Sequence, residues 1–218
     1  MRPIRITSRE VAADLRRVDR GQLALVAREH LDTRVRELVP LKWDLVPHWS
    51  KDTKSAAKTI NARSETAAIK PSFRDSFKTR RCLVATDGWY EWKVTPAGKV
   101  PMFIHRVTPD GEVVPFFFAG LWASWRDKAT PDAEPLETFT ILTRDAAPEL
   151  SEIHDRMSVI LPQSAYITWL DRRMTDSAAV TEVLTAAVLD GFHAYPVSTR
   201  LNSPKNDDAA CVAALSFG

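Results

Sequence analysis

Long apolar runs are missing. Nothing in the 218 residues approaches the roughly 18 that a membrane-spanning helix needs, so no membrane partner is expected. The opening MRPIRITSRE has no apolar stretch of the signal-peptide type. Only two cysteines, Cys82 and Cys211, are present. That is too few for a disulfide framework or a zinc cluster, and a reducing, cytoplasmic setting is expected. There is no Walker loop, dinucleotide fingerprint or HExxH motif. His30, His48, His105, His154 and His193 lack close metal-ligand spacing, so neither a metal nor any other cofactor is expected. Repeats, low-complexity segments and a clear linker are absent too, and residues 1–218 read as one domain.

What is there is a globular composition, 44% hydrophobic and 27% charged, with enough chain to bury a core. The formal net charge is +2, but residues 1–100 carry 21 Lys or Arg against 12 Asp or Glu, and residues 101–218 carry 9 against 16. If folding segregates the halves, one face is positive toward a polyanion. Seven tryptophans stand mostly in close pairs: Trp43 and Trp49, Trp89 and Trp92, Trp122 and Trp125, with Trp169 alone. An indole fills core volume or, part-exposed, stacks on a base or sugar.

Along the chain, 8–19 has helical spacing and 21–28 reads as a strand. Pro40 makes 37–43 an edge strand or an irregular segment. Residues 44–60 read as a loop, 61–68 as the start of a short helix and 71–77 as a turn or helix. The centre is strand-rich, at 82–86, 89–94, 101–107, 113–122 and 139–143, with a turn at Asp87-Gly88. Gly120 marks a bend or a close backbone approach. A short helix is expected at 146–154, a brief strand at 159–161, helices at 162–171 and 176–188 (capped by Asp176 or Ser177), and a last strand at 192–198. The fold class is α+β, a single compact domain with a mostly antiparallel, barrel-like sheet and short flanking helices.

Three polar settings invite chemistry. Glu91 lies between Tyr90 and Trp92; among aromatics its pKa would rise and fit it for acid–base work, whereas plain strand alternation would put it in water. His154, in a His-Asp-Arg turn, is either a proton shuttle or a surface residue. Asn61 and Arg63 could position an amine or carbonyl and grip a phosphate, or Asn61 could merely cap a helix.

The segments LKWDLVPHWSKD, NARSETA, RRCLVATDGWYEWK, FFFAGLW, FTILTRDA, IHDRMSVIL and VSTRLN, in that order, resemble the SRAP family, the SOS response-associated peptidase-like or abasic-site processing proteins. The resemblance is strongest over residues 38–205, and residues 1–36 are atypical. It implies a compact α+β fold around a barrel-like sheet, with a positive groove for single-stranded DNA containing abasic sites, and a monomer. In such proteins an N-terminal cysteine joins its thiol and α-amine to the open-ring sugar aldehyde as a thiazolidine, a covalent DNA–protein crosslink. Carried over by motif, the catalytic residues are Asn61, holding the amine, Glu91, transferring protons, and His154, assisting ring opening. Arg63 would hold a phosphate, Trp49 and Trp89 would form the groove wall, and Thr143 and Ser198 would line the pocket. Cys82 falls on a core strand.

This sequence departs from the pattern. It begins Met1-Arg2-Pro3 where the family has a Met-Cys-Gly-like start, and Trp43-Asp44 replaces the usual Trp-Gly. The expectation is therefore a crosslinking-deficient chain, whether through a start assigned too late, a disrupted frame or true divergence. A Schiff-base lyase using a free α-amine and a non-catalytic single-stranded DNA binder remain as alternatives; a peptidase acting on other proteins is a weaker one, because no Ser-His-Asp set is visible.

Overall fold

A computed structural model describes residues 18–108, 110–203 and 205–215. Among the described residues, ten strands form two sheets. In the larger one, β1 (Leu23–Glu29), β2 (Arg36–Trp43), β8 (Leu136–Asp145), β7 (Phe116–Trp125) and β4 (Arg81–Thr86) close into a five-stranded barrel. The seam is the short parallel pairing of β2 with β8 at Lys42 and Trp43. Arg28 secures it, donating to Glu37 on β2 at 2.8 Å and to Glu137 on β8 at 2.7 Å, with its guanidinium 4.2 Å above the Trp122 ring. Two short strands, β3 (Asn61–Arg63) and β9 (Arg156–Ser158), flank the far half of β8. The second sheet runs β10 (Phe192–Pro196), β6 (Gly98–Arg106), β5 (Gly88–Thr95), all antiparallel.

Period-two alternation explains the core. Val26, Leu41, Val84, Phe118, Trp122 and Phe139, drawn from all five barrel strands, fill the interior. Leu83, Phe117 and Leu121 point outward, against α1 (Ser64–Ala67), α2 (Arg74–Thr79), α3 (Tyr166–Leu170) and α4 (Ser177–Thr185). Strand β7 is buried on both faces, which is why FFFAG is continuously apolar. Gly120 is a close approach, as expected: a Cβ there would lie 2.9 Å from the Thr140 carbonyl. The Asp176 cap also forms, accepting from Ala179 N–H at 2.8 Å.

Several local expectations are corrected. Segment 37–43 is a full barrel strand; Pro40 is tolerated because β8 pairs only with the last two residues of β2. Asn61 opens a strand, and the helix starts three residues later. The turn expected at Asp87-Gly88 is a bend: β4 is held between β1 and β7, so the chain turns a corner there into the second sheet. Gly88 fits that corner because a Cβ would stand 2.7 Å from the Ile104 carbonyl. Of the helix expected at 8–19, residues 8–17 lie outside the described residues, and Val18 and Asp19 are not helical.

Asp44 has φ of +116°, a backbone conformation that glycine adopts without cost. Its carboxyl is mostly buried and held above the ordinary carboxylate range by desolvation, with Arg20 and Lys42 partly offsetting this. Asp44→Gly is therefore expected to stabilise the fold by about 1 kcal/mol, raising Tm by about 2–4 °C at neutral pH. The gain from removing the carboxylate shrinks as pH falls and the group protonates. Asp44→Ala, which keeps the Cβ, should recover less; equal Tm values for Gly and Ala would refute the strain account.

Candidate functional site

One end of the barrel opens into a cavity of about 1000 Å³. Its floor is apolar, from Val84, Phe118, Phe139 and Ile141, and the aromatic residues Trp43, Trp89, Tyr90 and Trp92 contribute to its walls. Asn61 and Glu91 both line it, although thirty residues separate them in sequence. They arrive by different routes. Strand β3 lies parallel to β8 and presents Asn61 and Arg63 on its exposed face, with Ala62 buried between them. Strand β5 sends Trp89 and Glu91 to one face and Tyr90 and Trp92 to the other. Trp89 packs edge-on against Phe116, Phe118 and Phe192, with its Nε1 buried and unbonded.

Glu91 is half-buried, and desolvation pushes its carboxyl above the usual range. The charge of His154 pulls it back down, while Asp155 pushes it up. His154 is thus within electrostatic reach of Glu91, on the exposed loop before β9. Its Nδ1 accepts from the Arg156 backbone N–H at 2.9 Å and lies 3.1 Å from Asp155 Oδ1.

One arginine ties these motifs together, and sequence reading missed it. Arg156 donates to both Glu65 oxygens at 2.8 and 2.9 Å, to the Thr143 carbonyl at 2.8 Å and to Asp145. It thereby clamps α1 to β8 and β9, holding β3 on one side of the cavity and the His154 loop near Glu91. The hint in the sequence was a Glu four residues after Asn61 and an Arg two after His154.

Other expected residues lie elsewhere. Arg63 is exposed, level with Thr143 and Ser158 across β3, β8 and β9, but of these only Ser158 lines the cavity. Thr143, two residues beyond Ile141, does not; its backbone carbonyl accepts from Arg156. Ser198 instead caps the turn Thr199–Asn202, accepting from Arg200 N–H at 3.2 Å. Trp49 is 52% exposed and outside the cavity, with its indole N–H on the Pro71 carbonyl at 3.3 Å. It stands in a basic stretch where Lys51, Lys54, Lys58, Arg63, Lys70 and Arg74 are all exposed. Cys82 is fully buried, and desolvation raises its thiol far above the ordinary range, so it is no nucleophile.

A family model for SOS response associated peptidase (SRAP) matches residues 9–204. The chain belongs to the SRAP family. It is 41% identical over 168 residues to the abasic site processing protein YoqW of Bacillus subtilis, covering 77% of this chain and 72% of that protein. It is 33% identical over 219 residues to the abasic site processing protein HMCES of Gallus gallus, covering 89% of this chain and 63% of that one. A crystal structure of a protein from Bacteroides thetaiotaomicron shares the fold, with a TM-score of 0.75 at 28% identity, covering 89% of this chain and 82% of that one. In this SRAP chain the segments around Asn61, Glu91, Thr143 and His154 meet at one end of the barrel.

Proposed function

We propose that the cavity receives the base-free deoxyribose of an abasic site in single-stranded DNA, and that Glu91 and His154 move protons at its C1′ carbon. The observation that supports this reading best is the convergence of Asn61 and Glu91 on one cavity, with His154 acting electrostatically on Glu91. The abasic sugar opens to an aldehyde. An amine adds to C1′, giving a carbinolamine, and loss of water leaves a Schiff base. Each step needs a proton taken and a proton given. A carboxyl with a raised pKa and an imidazole are suited to those tasks near neutral pH. Asn61 would orient the attacking nitrogen through its side-chain amide. From the family resemblance that nitrogen is the chain's α-amine, which lies outside the described residues. The exposed cations of residues 51–74, beside Trp49, would hold the flanking phosphates and a neighbouring base.

Fluorescence anisotropy with a single strand carrying a tetrahydrofuran abasic analogue tests the phosphate-holding part. Affinity is expected to fall about tenfold between 50 and 200 mM salt, the loss that roughly three phosphate contacts give. An affinity insensitive to salt would count against it.

A further inference from the structure

Among the described residues, five of the six charged ones lining the cavity are acidic, an unexpected balance for a site that receives part of a polyanion. Two of the five, Asp207 and Asp208, come from a single element: residues 206–215, beyond the family match that ends at residue 204.

This segment is a strap fastened across the second sheet. Asn206 Nδ2 donates to the Arg200 carbonyl at 2.6 Å, and Arg200 Nη2 donates to Asp208 at 2.7 Å. Asp208 also caps the turn Ala209–Cys211 by accepting from Ala210 N–H at 3.0 Å. Cys211 is 2% exposed and packs with Phe103, Val197 and Leu201. The Tyr195 hydroxyl donates to the Val212 carbonyl at 2.9 Å, and Leu215 N–H to the Pro196 carbonyl at 2.9 Å. The strap is thus a fixed wall. Asp208 has structural work to do. Asp207 is exposed and takes part in no ion pair among the described residues, so packing gives no reason for its charge.

We infer that the strap is a specificity-determining wall whose Asp207 carboxylate keeps backbone phosphate out of the cavity. This rests on the reading of the cavity as a sugar site. Like charge set against a ligand lowers the affinity of wrong occupants. An undamaged strand is held by phosphate attraction alone and loses most from the repulsion. An abasic strand also has the reaction at C1′ to retain it.

The test uses the whole chain and an undamaged single-stranded oligonucleotide. Asp207→Asn is expected to tighten binding about threefold at low salt, with the gain vanishing near 1 M salt, where screening reaches ~3 Å. Asp132→Asn, on the exposed 126–135 loop away from the cavity, removes the same net charge and should change nothing. If Asp207→Asn matches wild type, or if Asp132→Asn gives the same gain, the strap proposal fails while the sugar-site reading stands. If wild type binds neither undamaged nor abasic single strands, both fail.

Discussion

Glu91→Gln should slow borohydride trapping of the chain on a strand with a natural abasic site by about 100-fold or more, within the range for losing a general acid–base group. Borohydride reduces a Schiff base to a stable secondary amine, so the trapped band reports imine formation. The amide is nearly isosteric with the carboxyl but neither gives nor takes the proton. Affinity for the tetrahydrofuran strand, which has no aldehyde, should stay within about twofold, because Glu91 holds no phosphate. A variant that traps as fast as wild type would show that the cavity binds without Glu91 doing chemistry. The substitution should also raise Tm. Desolvation holds the folded carboxyl above its ordinary range, so ionised Glu91 costs stability. That cost is absent where the group is protonated in both states, grows as pH rises through the raised value, and is complete above it. The variant is therefore expected to match wild type near pH 4 and to melt higher at pH 7.

Arg81→Met should cause the largest loss of stability, about 3–5 kcal/mol. Arg81 is 1% exposed. It donates to the Phe77 and Lys78 carbonyls at 2.8 and 2.6 Å, and to those of Trp169 and Asp171 at 2.7 and 2.5 Å. These are orphan carbonyls at the C-terminal ends of α2 and α3, which a helix cannot satisfy itself. One side chain on β4 therefore fastens two helices to the barrel. Burial lowers its pKa to about 10, which still leaves it charged at neutral pH. Methionine would fill most of the volume but strand four acceptors, two buried and two part-buried. A melting temperature about 10 °C lower, with DNA affinity intact below the transition, is the expected result by calorimetry. A loss under 1 kcal/mol would mean that water reaches those carbonyls.

Much of the barrel could be read in advance, because alternation and apolar runs record which strand faces are covered. The apolar run FFFAG marked a core strand, and Gly120 a bend or a close approach. The seam was hidden. Pro40 argued against a full strand, and only the two-residue pairing of β2 with β8 shows why it is allowed. At Asp87-Gly88 the local residues signalled the change of direction, but not which sheet the chain enters next. Asn61, Glu91 and Trp89 stood out through their unusual neighbours and their motifs, and all three line the cavity. Arg156 did not stand out, because its importance lies in bonds to Glu65, Thr143 and Asp145 that no local pattern reveals. Ser198 and Thr143 are polar residues of the motifs that do not line the cavity; the Ser198 hydroxyl caps a turn, and the Thr143 backbone carbonyl serves Arg156.

The seven indole N–H groups allow a direct test of where the abasic sugar goes. Trp43, Trp89 and Trp92 line the cavity, Trp49 stands on the basic loop, and Trp122, Trp125 and Trp169 are in the core. In a ¹⁵N–¹H spectrum titrated with a short single strand centred on the tetrahydrofuran analogue, the three cavity indoles should shift together, with Trp49 following and the three core indoles unmoved. Shifts confined to Trp49, with Trp43, Trp89 and Trp92 unchanged at saturation, would place the strand on the surface alone and contradict a sugar-binding cavity.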